Sequence, residues 1–196
     1  MEIATNRMTL EEYLTYTDGA DNQHELVAGE LVEMQPQSPL NVQISLFLLA
    51  HLLQFVPINC LSNKVEIVVS GLRATTRVPD LTVFTVELAD ALRDAKRSTI
   101  LLDMPPPLLV VEVVSPGKTN EDRDYRYKRS EYAARGIAEY WIVDPMRAQV
   151  TVLTLVDGLY EEKVFCGEER VASLNFPALE LNVTQILTAG TPSNAG

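Results

Sequence analysis

The sequence predicts an α/β (α+β) domain built on a mixed central β-sheet flanked by helices, with a β-hairpin near each end of the chain. Three observations carry this. Leu108 to Val114 (LLVVEVV) is a near-continuous apolar run, typical of a central strand covered on both faces. The stretch from about Asn120 to Arg135, rich in charge and tyrosine, ends at Gly136 and reads as a helix with its C-terminal stop. Asp157-Gly158 between two alternating apolar runs is a strong short hairpin signal.

The other elements follow in order. Thr9 to Tyr16 is a short helix, with Thr9 as N-cap and Glu12 completing a capping box, and the segment from Gly19 to Asn22 breaks it. Glu25 to Val27 and Glu30 to Met34 flank Ala28-Gly29 as the N-terminal hairpin. Ser38-Pro39 opens a helix that runs from Asn41 to about Phe55; it is apolar almost all round and is expected to be buried against a sheet. Lys64 to Ser70 alternates as a strand, and Leu81 to Val86 is a second one, starting directly after Val78-Pro79-Asp80. Glu87 to Ser98 is polar and reads equally as helix or loop. Glu139 to Val143 is a strand closed by Asp144-Pro145, and Gln149 to Leu155 with Leu159 to Phe165 form the C-terminal hairpin. Repeats, low-complexity tracts and linkers are absent, so one domain over residues 1–196 is expected, with a frayed tail at 189–196.

Charge narrows the function. Sixteen Lys and Arg against 27 Asp and Glu give a net charge of −11, which excludes a protein that coats polyanions through many basic contacts but leaves a localised site open. Twelve of the 16 basic residues, against 11 of the 27 acidic ones, lie between Lys64 and Arg135. An anionic substrate would meet least repulsion there. The acidic start of the chain is unlike a secretory signal. The apolar stretch from Ile44 to Val56 is interrupted by His51 and Gln54 and is too short to cross a bilayer. A cytoplasmic protein without membrane association is expected. Cys60 and Cys166 suit a reducing compartment and make neither a disulfide framework nor a zinc site.

Glu112, a lone carboxylate inside LLVVEVV, must be paired, protonated or bound to a cation. Asp80 stands behind a rigid proline at the start of the preceding apolar strand. Two such carboxylates converging at a sheet edge make an oxygen-ligand site for Mg²⁺ or Mn²⁺, against the plainer readings of a strand-start residue and a buried ion pair. Asp124, Lys128 and Tyr132 share one helical face, with Tyr125 beside them. Lys128 is there either to position a water and neutralise a phosphate or as half of an exposed pair with Asp124. Glu25 and Glu30 are further carboxylates on the hairpin. Two histidines are too few for a His-based metal site, and no Gly-rich phosphate loop supports a nucleotide cofactor.

These pieces in order, HELVAGELVEM, Val78-Pro79-Asp80, LLVVEVVSP (108–116) and DYRYKRSEYAARGIAEYWIVDP (124–145), resemble the Uma-two family of putative restriction endonucleases abundant in cyanobacteria, over a core of about residues 8–185. The resemblance implies the PD-(D/E)XK nuclease superfamily, a restriction endonuclease-like core, and Mg²⁺-dependent hydrolysis of phosphodiester bonds. Asp80 and Glu112 then match the two acidic metal ligands and the main-chain carbonyl of Val113 the third. Glu25 best matches the acidic residue that the superfamily often supplies from its N-terminal helix. Two positions depart from the pattern. Val114 stands where a lysine is usual, which moves that role to Lys128 on the following helix, and Asn41 stands where relatives commonly have His. DNA is the implied partner, with Arg73, Arg77, Lys118, Arg123 and Arg129 as backbone contacts, and a homodimer is implied if both strands are cut. The competing expectations are a non-catalytic dimeric interaction or regulatory protein on the same fold, and a hydrolase of small phosphoesters.

Overall fold

The structure is a computed structural model that describes residues 7–16, 24–70, 73–189 and 191. The expected break at Gly19 to Asn22 and the tail beyond residue 191 lie outside these residues. Helix α1 (Leu10–Thr15) begins with the expected capping box: Thr9 Oγ1 accepts from the Glu12 amide while the Glu12 carboxylate accepts from the Thr9 amide. Strands β1 (His24–Val27) and β2 (Glu30–Glu33) form the N-terminal hairpin. Ala28 and Gly29 turn it with φ of 50° and 84°, successive left-handed residues whose twist matches that of the strands.

Helix α2 (Pro39–Leu52) is capped by Ser38 Oγ on the Asn41 amide, with Pro39 in the first turn. It buries Ile44, Ser45, Leu48 and Leu52. Its opposite face stays in solvent, where Leu40, Val42, Leu46 and the following Leu53 are exposed. The helix is buried against the sheet as expected, but through one face only, because the sheet covers one side of it and leaves the rest of its apolar surface in solvent. A 3₁₀ turn (Ile58–Cys60) leads into β3 (Leu61–Ser62), β4 (Glu66–Ser70), β5 (Thr75–Arg77) and β6 (Leu81–Val83). β6 is shorter than expected because Thr85 caps α3 (Val86–Leu92), which turns the first part of the ambiguous 87–98 stretch into helix.

Strand β7 (Thr99–Ile100) precedes β8 (Leu109–Val113). The expected helix after β8 has three parts: α4 (Lys118–Asp122), a π-turn (Arg123–Tyr127) and α5 (Lys128–Arg135), stopped by Gly136 at φ 79°. Strand β9 (Glu139–Asp144) follows, then β10 (Gln149–Val156) and β11 (Leu159–Cys166), turned at Asp157-Gly158. A last helix, α6 (Val183–Leu187), has no counterpart in the sequence reading.

Six strands form one sheet in the order β11-β10-β9-β8-β6-β3, with β8 and β9 parallel and the other neighbours antiparallel. A three-stranded sheet, β5-β4-β7, lies beside it. Alternation along β8 divides the molecule. Val111 and Val113 join a core with Leu48, Trp141 and Ile186, whereas Val110 and Val114 join a second core with Leu88, Tyr132 and Tyr140. Glu112 shares the second face and so points toward α5. No helix among the described residues is long and apolar enough to cross a membrane.

Candidate active site

The register Leu81↔Val111 between β6 and β8 brings Asp80, one residue ahead of β6, alongside Glu112. Asp80 Oδ2 accepts the Val113 amide at 2.5 Å, an amide that the short β6 leaves free, and its Oδ1 accepts from the side-chain amide of Gln37. Glu112 is held from α5 on both oxygens: Tyr132 donates its hydroxyl to Oε1 at 2.7 Å, and Lys128 Nζ lies 2.7 Å from Oε2. Lys128 also lies 3.3 Å from Asp124 Oδ1. Glu112, Lys128 and Asp124 are 3%, 2% and 1% exposed, so the Asp124 and Lys128 pair is a buried element of the site and not the exposed pair that its spacing also allowed.

The π-turn has a visible physical cause. The Lys128 amide bonds the Arg123 carbonyl, one residue beyond the usual α-helical partner, which frees the Asp124 carbonyl. The buried hydroxyl of Tyr140 donates to that carbonyl at 3.0 Å and so compensates the widened turn.

Glu25, from β1, closes the floor of the site. It accepts Arg77 Nη1 at 2.9 Å and the Val78 amide at 3.0 Å, while Arg77 also forks onto Glu131 at 2.7 and 2.9 Å. Burial by itself would raise the Glu25 pKa, but Lys128 and Arg77 outweigh it and hold the carboxyl below its usual range. Arg77 is therefore corrected as a phosphate contact: at 3% exposure between two carboxylates, it cannot reach one. Arg129 is turned to Glu162 and the Tyr160 carbonyl. Arg73 and Lys118 are exposed, and Glu30 is an exposed carboxylate near Arg7. Arg123, 3.1 Å from Asp124 through Nε, lines the site.

These groups meet in a cleft of about 530 Å³ whose lining includes Glu25, Gln37, Asp80, Glu112, Arg123 and Lys128. Its electrostatics are crowded. Burial, reinforced by Asp124, pushes Asp80 up to about 6 against the Val113 amide and Lys128. Burial also raises the Glu112 pKa, with Asp80 and Asp124 adding to it, while Lys128 at 2.7 Å pulls it back down. Burial would lower the Lys128 pKa, but Glu112, Asp124 and Glu25 together raise it, so the ammonium keeps its proton.

A family model described as putative restriction endonuclease, Uma2, matches residues 10–184. The chain belongs to the Uma2 family. A solved structure described as a putative nuclease of the DUF820 group, from Anabaena variabilis ATCC 29413, superposes with a TM-score of 0.72 at 16% identity, covering 94% of this chain and 99% of that one. That likeness shows the restriction endonuclease-like fold. No curated protein sequence matches the chain.

The donor set of this Uma2 chain fits a hard divalent cation. Among the described residues no group of three or more His, Cys, Asp and Glu side chains is arranged to hold a metal; two carboxylates and a carbonyl form an all-oxygen set. The Val113 carbonyl accepts Asn41 Nδ2 at 3.2 Å and has a second lone pair. Asp124 Oδ2 is buried without a hydrogen-bond partner, and Asp80 and Glu112 are both raised, which are signs of carboxylates short of positive charge. Sequence reasoning missed Gln37 and the buried Arg77 and Glu131 pair, for which the sequence carries no periodic signal. It also passed over the Tyr132 hydroxyl, although the shared face with Asp124 and Lys128 pointed at it.

A pH dependence follows. The unfolded chain releases the Asp80 proton in the ordinary carboxylate range, whereas the folded protein holds it to about pH 6. In that window the folded state binds more protons, so this group's contribution to stability falls as pH rises from about 4 through 6. Asp80→Asn keeps an acceptor for the Val113 amide and removes the titration. In urea unfolding it should gain on the unsubstituted protein between pH 4 and pH 7, by on the order of 2–3 kcal/mol. An unchanged difference between the two pH values would contradict this.

Proposed function

We propose that this Uma2 chain is a divalent-metal-dependent nuclease that hydrolyses DNA phosphodiester bonds in the cleft between β6, β8 and α5. The observation that supports the reading best is the convergence of Asp80 and Glu112, from neighbouring strands, with Lys128 from the helix that follows. Asp80, Glu112 and the Val113 carbonyl would hold Mg²⁺, or Mn²⁺, which when bound supplies Lewis acidity toward the scissile phosphate and a nearby water. Lys128 orients that water for in-line attack and offsets charge on the phosphate, the role its superfamily equivalents have two positions after the second carboxylate. Arg123, released from Asp124, binds a phosphate oxygen, and the exposed Arg73 and Lys118 serve flanking phosphates. Glu25 acts at one remove: it ties Arg77 and the Val78 amide together and thereby sets the strand entry that aims Asp80. A homodimer in the cytoplasm, cutting both strands of a duplex, completes the reading.

A non-catalytic protein on the same fold is the second reading. It is favoured by Glu112, whose two oxygens are both partnered within the chain, and by the net charge of −11. Calorimetry with Mg²⁺ and Mn²⁺, with and without duplex DNA, separates the two. The nuclease reading expects one site that Asp80→Ala and Glu112→Ala each abolish, and DNA affinity that falls steeply with salt. No metal binding in the millimolar range with DNA present, together with a salt slope near zero, would leave the carboxylates as structural charges.

A further inference from the structure

From Met34 to Asn63 the chain carries no Asp, Glu, Lys or Arg, its longest run of this kind, in a protein whose net charge is −11. That run contains all of α2, whose inner face packs on the sheet. Its outward arc is made of Leu40, Val42, Gln43, Leu46, Ala50 and Leu53, all in solvent, with Leu46 49% exposed. Val42, Leu46, Leu49 and Leu53 follow one another at four, three and four residues, the spacing that lines up a seam along one side of a helix. Ile58, just beyond the helix, is 65% exposed. Apolar exposure grouped in this way marks an interaction surface, not the scattered exposure of any soluble protein.

We propose that the outward face of α2 is the contact surface between two copies of this chain. The distribution of charge selects that occupant. A two-fold contact sets each residue near the axis against itself or its symmetry mate, so any charge there meets the same charge. Two chains of net −11 repel one another overall, and the α2 run brings no formal charge of its own to such a contact. A foreign acidic or basic protein would be recognised by complementary charge, which this face does not offer. An anionic membrane needs Lys or Arg beside the apolar stripe, and the run has none. Ala50, toward the C-terminal end of the arc, lets two such helices approach closely, while Gln43 supplies polar edges. The surface belongs to the dimer that the nuclease reading expects, yet the observations behind it and the test below do not involve the active site.

Sedimentation equilibrium of the full chain, without metal or DNA, tests it. At about 100 μM, well above a micromolar dissociation constant, the mass should be twice 21.8 kDa, and added NaCl should leave the dimer intact or tighten it, since salt screens only the repulsion. Leu46→Glu should yield a monomer with an unaltered circular dichroism spectrum, while Leu159→Glu, at the exposed tip of the β10–β11 hairpin, should remain a dimer. Should Leu46→Glu fail to fold, a nitroxide at Leu46→Cys in a Cys166→Ser background reports the same contact, with dipolar broadening expected. A monomeric protein at that concentration, a Leu46→Glu dimer, or a label without broadening would each overturn the proposal. The first of these would leave the face to a different protein.

Discussion

Lys128→Met is expected to lower the free energy of unfolding by about 3–5 kcal/mol near neutral pH, because it removes the cation from a buried cluster and leaves the carboxylates behind. Glu112 and Asp124, at 2.7 and 3.3 Å from Nζ, both lose their partner, and Glu25 loses part of what holds its carboxyl ionised. The methionine fills similar space, so packing contributes little to the loss. Pairing the change with Glu112→Gln should recover much of the stability, since a neutral amide still accepts the Tyr132 hydroxyl and no longer needs a cation. Denaturant unfolding of the two single variants and the double variant closes the cycle. Additive losses would show that Glu112 and Lys128 do not act on one another, and would remove the reason for reading them as one site.

Hydrolysis of supercoiled DNA in Mg²⁺ or Mn²⁺ should fall by about 10³-fold or more in Asp80→Asn and in Glu112→Gln, the scale of losing a group that acts on charge developing in the transition state. The loss should appear in kcat and not in KM, because the phosphate contacts proposed for Arg123, Arg73 and Lys118 would be untouched. Asp80→Asn is the more informative variant. The same substitution that should abolish the proposed hydrolysis should also stabilise the fold near neutral pH, since burial and Asp124 hold the Asp80 carboxyl at about 6. Higher stability with lost activity is the signature of a site kept under electrostatic strain for function. A fully active Asp80→Asn variant would exclude the nuclease assignment of this cleft while leaving the family and fold intact.

Much of this was legible in particular residues. Thr9 with Glu12, Ser38 with Pro39, Ala28-Gly29 and Asp157-Gly158 act within a few residues of themselves, and the structure forms each cap and turn where they stand. Glu112 was conspicuous because a carboxylate inside an apolar strand is costly wherever that strand packs. The short strands β3, β5 and β7 were not legible, since two or three residues carry no periodicity and become strands only by pairing with distant partners. The π-turn escaped for a similar reason: it depends on a hydroxyl 16 residues further along the chain.

The sequence by itself determined the class of the fold, the hairpins and most helix starts, because propensity, capping and alternation are local properties of the chain. Tertiary structure decided what each charge does. Arg77 looked like a surface cation until β1 and α5 enclosed it between Glu25 and Glu131, and α2, apolar almost all round, packs on the sheet as expected but finds room there for only one of its faces. Lys128 is the clearest case: its spacing from Asp124 allowed an exposed pair, and the packing of α5 on β8 turned it into the buried counter-ion of Glu112. Electrostatic energy depends on distance and on access to water, and both are set by contacts between residues far apart in the chain.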